Sequence, residues 1–168
     1  MNPQTLEQAV AAHPFLIGIS EHHVRLLADS AMKTTIEAGK VIFAEGETAN
    51  RFYLIETGKV VLESRGEQNE PVTIEVIGAG DLLGWSWLFP PFVWQFGARA
   101  VEPTDAIFFY GTVLREYCDA DPSLGLELFK RMGAVMIQRL QSARSRLVKA
   151  NIGFSPVGGE HQMPGGDD

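Results

Sequence analysis

Residues 45–60 read EGETANRFYLIETGKV, and this stretch decides the fold. Glu45-Gly46-Glu47 reads as a turn, with glycine supplying a backbone conformation that other residues adopt only at a cost. Phe52-Tyr53-Leu54-Ile55 is a short β-prone run, and Phe52, Leu54 and their neighbours alternate as a half-buried strand should. Gly58 closes that run, and Lys59-Val60 opens the next.

The same unit recurs outward from there, between Met32 and about Tyr110. Thr34–Ile36 precedes Gly39, Val41–Phe43 precedes Gly46, and Val60–Leu62 precedes Gly66. Val72–Ile77 precedes Gly78 and Gly80, and Ala106–Tyr110 precedes Gly111. Short strands with turn residues roughly every 8–12 positions indicate an antiparallel sandwich or roll.

Both flanks are helical in pattern. Leu6, Val10, Phe15 and Leu16 have apolar spacing broken by Pro14 and Gly18, and Ser20 is a good N-cap for a helix carrying Val24, Leu27 and Ala28. After the strands, Thr112 is placed to cap a short helix over Val113 to about Asp119. Pro122 suits the first turn of a longer helix reaching about Ala150, with Asp121 or Asp119 near its start. On that helix Phe129, Met136, Leu140, Ala143 and Leu147 follow a seven-residue repeat, the spacing of a coiled-coil seam. Leu126, Met132 and Val135 add apolar surface for packing on the roll. Residues 151–168 are rich in glycine and proline, which predicts a disordered tail.

The bulk properties narrow the function. A length of 168 residues fits about one domain. A net charge of −7 disfavours general nucleic-acid affinity, which needs a positive surface. The charge is uneven, with Lys130, Arg131, Arg139, Arg144, Arg146 and Lys149 opposed only by Glu127 over residues 126–151. No run approaches the roughly 20 apolar residues of a membrane helix, and the N-terminus lacks a signal-peptide pattern. The lone Cys118 permits no internal disulfide and reads as a half-buried helix residue. A cytoplasmic protein that does not engage a membrane is expected. His13, His22, His23 and His161 fall outside the strands, where a jelly-roll metal centre would need them, so no metal site is expected. No nucleophile, P-loop or dinucleotide motif stands in a credible context, so no enzyme is expected.

Three stretches resemble the cyclic-nucleotide-binding domain of the catabolite activator protein and of protein kinase A regulatory subunits. They are Glu45-Gly46-Glu47 with the run to Val60, then Gly80-Asp81-Leu82-Leu83-Gly84, then Ala98-Arg99-Ala100-Val101-Glu102-Pro103-Thr104-Asp105. The resemblance implies an α+β chain built as an antiparallel β-roll, jelly-roll-like, of about eight strands. N-terminal helices (1–31) would precede the roll (32–111), which holds a phosphate-binding cassette at 80–97, and C-terminal helices (112–150) would follow. It also implies a regulatory role in ligand sensing and signalling, with ligand contact at the cassette transmitted to the long helix.

The resemblance further implies a glutamate after the second cassette glycine for the ribose hydroxyl, and an arginine further on for the phosphate. Trp85 stands at the first position, and the second falls near Trp94. Arg99, at an odd offset from Trp94, faces the other side of its strand if no bulge intervenes. In place of those groups the chain carries LGWSWLFPPFVWQF over 83–96, with all 3 of its tryptophans. The aromatics either fill the vacated pocket as core or line a site for a flat ligand or a partner protein.

Gly84, Trp85, Ser86, Trp87, Trp94 and Arg99 are therefore the candidate ligand-site residues. Losing one partner of a buried charge pair costs about 3–5 kcal/mol, so cyclic AMP or cyclic GMP is expected to bind weakly or not at all. The expected ligand, if the site takes one, is a cyclic nucleotide or another small molecule, and no other cofactor is expected. A homodimer through the long helix is expected, with a docking role toward a protein partner as the alternative. With only a Gly/Pro-rich segment after that helix, no helix-turn-helix and no direct DNA binding are expected.

Overall fold

The computed structural model describes residues 4–151, so the tail expected over 151–168 lies, beyond Asn151, outside the described residues. Two helices, α1 (Leu6–Ala12) and α2 (Glu21–Ser30), come first. Eight strands follow: β1 (Met32–Ile36), β2 (Val41–Phe43), β3 (Arg51–Thr57), β4 (Lys59–Arg65), β5 (Pro71–Gly78), β6 (Leu82–Leu83), β7 (Gly97–Ala100) and β8 (Thr104–Tyr110). Helices α3 (Gly111–Ala120) and α4 (Pro122–Ala150) end the described chain. Packing divides the chain at Met132, and the part of α4 from Gly133 onward belongs to a second unit.

The strands form two antiparallel four-stranded sheets, ordered β1-β8-β3-β6 and β2-β7-β4-β5. Tyr53 faces Phe108 across the first, and Val60 faces Ala100 across the second. Phe43, Tyr53, Ile55, Val60, Leu62, Ile77, Leu83, Trp94, Phe96, Ala98, Ala106 and Phe108 belong to one buried cluster between the sheets. That is the α+β β-roll the sequence indicates.

Strand β3 differs from its expected half-buried pattern, because Phe52, Tyr53, Leu54 and Ile55 are all buried. Tyr53 and Ile55 join the roll interior, while Phe52 meets Phe15 edge-on at 5.6 Å and Trp87 at 5.5 Å. A strand covered on both faces loses its alternation.

The helix ends follow local chemistry. Thr5 and Gln8 form a reciprocal capping box on α1, and the Ser20 hydroxyl accepts the His23 N–H on α2. Thr112 does not cap α3, which starts two residues earlier than expected, at Gly111 directly off β8, with Tyr110 at its N-cap position. The Gly111 N–H donates to Asn50 O at 2.9 Å. A β-carbon at Gly111 would fall 2.9 Å from Trp87 Cβ, so this close start needs glycine.

Asp121 ends α3 and begins α4, and its Oδ1 accepts the Ser123 and Leu124 N–H groups. On α4 the buried stripe is Leu124, Leu128 and Met132. Leu126, expected to pack on the roll, is exposed instead, because i, i+4, i+8 spacing turns it off the buried stripe.

Candidate functional site

Residues 78–97 are held from both ends. Asp81 Oδ2 accepts the Gly78 N–H at 2.8 Å, and Asp81 O accepts the Ile55 N–H at 2.9 Å. Ile55 O accepts the Gly80 N–H at 2.9 Å and the His13 Nε2–H at 2.9 Å, which ties the N-terminal segment to this turn. At the far end Trp94 N–H donates to Glu47 O and Gly46 N–H donates to Trp94 O, at 2.9 and 2.8 Å. The returning chain is thus zipped to the Glu45–Glu47 turn. Glu47 accepts the Ala44 N–H, and Glu45 accepts from Ser64 Oγ and the Arg65 N–H, so both carboxylates serve turns.

Gly84 has φ +88°, a conformation open to glycine, and the ring of Trp94 lies against it. Trp94 is 2% exposed and stacks on Phe43 at 3.7 Å with an interplanar angle of 7°. Its indole is therefore part of the roll core. Trp85 is half-buried and meets Phe96 edge-on at 6.1 Å. Ser86 is buried in the turn over 85–88.

Trp87 takes a different side, fully buried against Phe52, and its Nε1 has no hydrogen-bond partner among the described residues. Arg99 sits between buried Ala98 and Ala100 on β7, and its guanidinium pairs with Glu63. The structure thus gathers Gly84, Trp85 and Trp94 around the roll interior, with Ser86 in the adjoining turn, and separates Trp87 and Arg99 from them.

Two links run from this segment to the C-terminal helices, and neither was read from sequence. Arg115 on α3 donates to Trp87 O and places its guanidinium 4.1 Å from the Phe92 ring centre. Phe89 meets Phe129 of α4 edge-on at 6.2 Å. Arg115 offered no signal beyond being a lone base on a short helix. A hollow of about 350 Å³ opens beside Phe43 and Gly97, bordered by Glu45, Glu63, Ser64 and Arg65. Another of about 340 Å³ is lined by Thr34, Lys40, Arg51 and Tyr53.

The seam residues are placed as follows. Phe129, Leu140 and Leu147 are exposed, at 51%, 70% and 64%, while Met136 and Ala143 are half-buried. None of the described helices is long and apolar enough to cross a membrane.

A two-sheet roll with a glycine-framed turn over 80–84 and a long C-terminal helix defines a class of regulatory ligand-binding domains. Residues 33–121 match the cyclic nucleotide-binding domain family, and the chain belongs to it. It is 23% identical over 154 residues to a CRP-like cAMP-activated global transcriptional regulator of Mycobacterium tuberculosis. That alignment covers 92% of this chain and 66% of the regulator, so the chain spans just under two thirds of that relative's length.

Among solved structures, a cyclic nucleotide-binding protein of Geobacter metallireducens superposes with a TM-score of 0.71 at 24% identity, covering 83% of this chain and 98% of that one. The regulatory subunit of a cAMP-independent protein kinase A from Trypanosoma brucei, in a mutant form bound to cAMP, superposes with a TM-score of 0.70 at 22% identity. There the coverage is 85% of this chain and 50% of the other. These two share the fold.

Proposed function

We propose that this chain is a regulatory, non-enzymatic, small-molecule-sensing domain of the cytoplasm whose pocket is aromatic and does not hold cyclic AMP or cyclic GMP tightly. The observation that carries this reading is Trp94. Where the family resemblance calls for a phosphate-binding arginine, an indole is stacked on Phe43 and pressed on Gly84. The basic residue nearest in sequence, Arg99, is engaged by Glu63. A phosphate brought into this space would meet apolar carbon without a cation, an unfavourable exchange of water for hydrocarbon.

The contacts of Arg115 with Trp87 and Phe92, and of Phe89 with Phe129, provide a route by which occupancy near Trp85 alters α3 and α4. Calorimetric titration with both cyclic nucleotides tests the reading. No heat of binding in the low-micromolar range is expected, and low-micromolar affinity for either nucleotide overturns it.

A second reading is favoured by the exposed seam of α4. Phe129, Leu140 and Leu147, all at positions of the seven-residue repeat, expose apolar side chains, which suits a homodimer or a docked protein. A docking module gives a stable complex and no ligand response. A sensor gives a rise in melting temperature and altered fluorescence at Trp85 with its small molecule.

A further inference from the structure

Outside the cassette, two consecutive histidines converge on one carboxylate oxygen. His22 and His23 lie in the first turn of α2, and Asp121 lies at the corner where α3 passes into α4. Successive residues on a helix point in directions about 100° apart and do not normally share a partner. Here His22 Nε2 lies 3.4 Å and His23 Nε2 lies 3.1 Å from the same atom, Asp121 Oδ2. The three ligand atoms all fall within 4.8 Å of one another.

We propose that His22, His23 and Asp121 form a binding site for a divalent transition metal ion of the zinc class. Metal–nitrogen bonds of about 2.0–2.1 Å and metal–oxygen bonds of about 2.0–2.2 Å at tetrahedral angles set ligand atoms about 3.3–3.5 Å apart. The two nitrogen–oxygen distances are already close to that. The nitrogen–nitrogen distance closes by rotation of His22, whose side chain is 72% exposed.

The carboxylate is also prepared for the role. Its Oδ1 is occupied by the Ser123 hydroxyl at 2.6 Å and by the Ser123 and Leu124 N–H groups at 3.2 and 3.4 Å, so Oδ2 is turned toward the histidines. Those outer contacts orient the ligand as carboxylate and hydroxyl partners do in metal sites. Two imidazoles and a carboxylate suit zinc, nickel, cobalt or copper, and leave a position for water.

A bound ion would pin α2 to the α3–α4 corner. This inference is independent of what the cassette binds. It also differs from the sequence expectation of no metal, which considered only histidines lining a barrel.

The test is calorimetric titration of the full, untagged chain with zinc chloride in a non-coordinating buffer, followed by thermal melting with and without zinc. One ion per chain and a raised melting temperature are expected. His22→Ala removes an exposed ligand, and Asp121→Asn keeps a residue that can still cap α4. Each should weaken binding at least about tenfold, since losing even an outer partner commonly costs 10–100-fold. Cys118→Ser and His161→Ala should leave it unchanged. No saturable binding of one ion, or binding insensitive to His22→Ala, overturns the proposal.

Discussion

The ring of Trp94 rests on the backbone of Gly84, where an added β-carbon would come within 2.5 Å of ring atoms Cζ3 and Cη2. Gly46 has the same φ of +88° but open space around the corresponding position. Gly46→Ala therefore reports backbone strain alone, about 1–2 kcal/mol, whereas Gly84→Ala adds overpacking of about 1–3 kcal/mol. Urea denaturation should rank Gly84→Ala as clearly the more destabilised. Trp94→Phe, which shortens the ring, should recover part of the difference when combined with it. Equal losses at the two glycines would mean that Trp94 does not crowd Gly84.

Trp87 and Trp94 are both buried, yet they should respond differently to the same change. Trp94 stacks on Phe43, so replacing it with phenylalanine loses ring contact and leaves a void. Trp87 carries a buried Nε1 without a partner among the described residues, a condition that costs about 1–3 kcal/mol. Trp87→Phe removes that atom and so offsets much of the lost packing. Equilibrium unfolding should find Trp94→Phe the costlier by roughly 1–3 kcal/mol. The reverse order would show that the Trp87 indole is satisfied.

Much of the roll was legible because turn chemistry is local. Gly46 and Gly80, at φ +88° and +87°, sit where the punctuation between strands placed turns. What stayed hidden depends on distant residues. Strand β3 looked half-buried because sequence does not show that one face packs in the roll while Phe15 and Trp87 cover Phe52 on the other. Composition could not sort the aromatics of 83–96. Whether Trp94 enters the roll and Trp87 leaves it is set by the hydrogen bonds of Trp94 with Gly46 and Glu47, nearly fifty residues away in the chain. His22 and His23 carry no barrel pattern, and Asp121 reaches them only through the fold.

His13 should make stability fall on mild acidification. Burial is the largest influence on it and lowers its pKa below 6.5, opposed by the Ile55 carbonyl and by Glu56 and Asp81. Both ring nitrogens are used, Nε2–H donating to Ile55 O and Nδ1 accepting the Phe15 N–H. The folded state therefore binds fewer protons than the unfolded chain once the pH drops below about 6.5. Stability contributed by neutral His13 is complete above that pH and is lost as the pH falls toward the folded value. Melting temperatures of the wild type should decline over this window. His13→Gln, which keeps a donor toward Ile55 and cannot titrate, should show a flatter decline. Parallel curves would rule out His13 as the source.

The seam on α4 gives the sharpest division between the two functional readings. Leu140 and Leu147 are 70% and 64% exposed within one chain, so glutamate at either place buries no charge in a monomer. Surface changes of this kind usually alter stability by no more than about 0.5 kcal/mol. In a dimer paired along Met136, Leu140, Ala143 and Leu147 the same glutamates would face each other in an apolar seam. Like charges there would be desolvated and mutually repelled. Sedimentation of the wild type should give a dimer, and Leu140→Glu with Leu147→Glu should give a monomer that keeps its β-roll by circular dichroism. A wild-type monomer at every concentration would end the homodimer reading and leave the apolar line of α4 to a different protein partner.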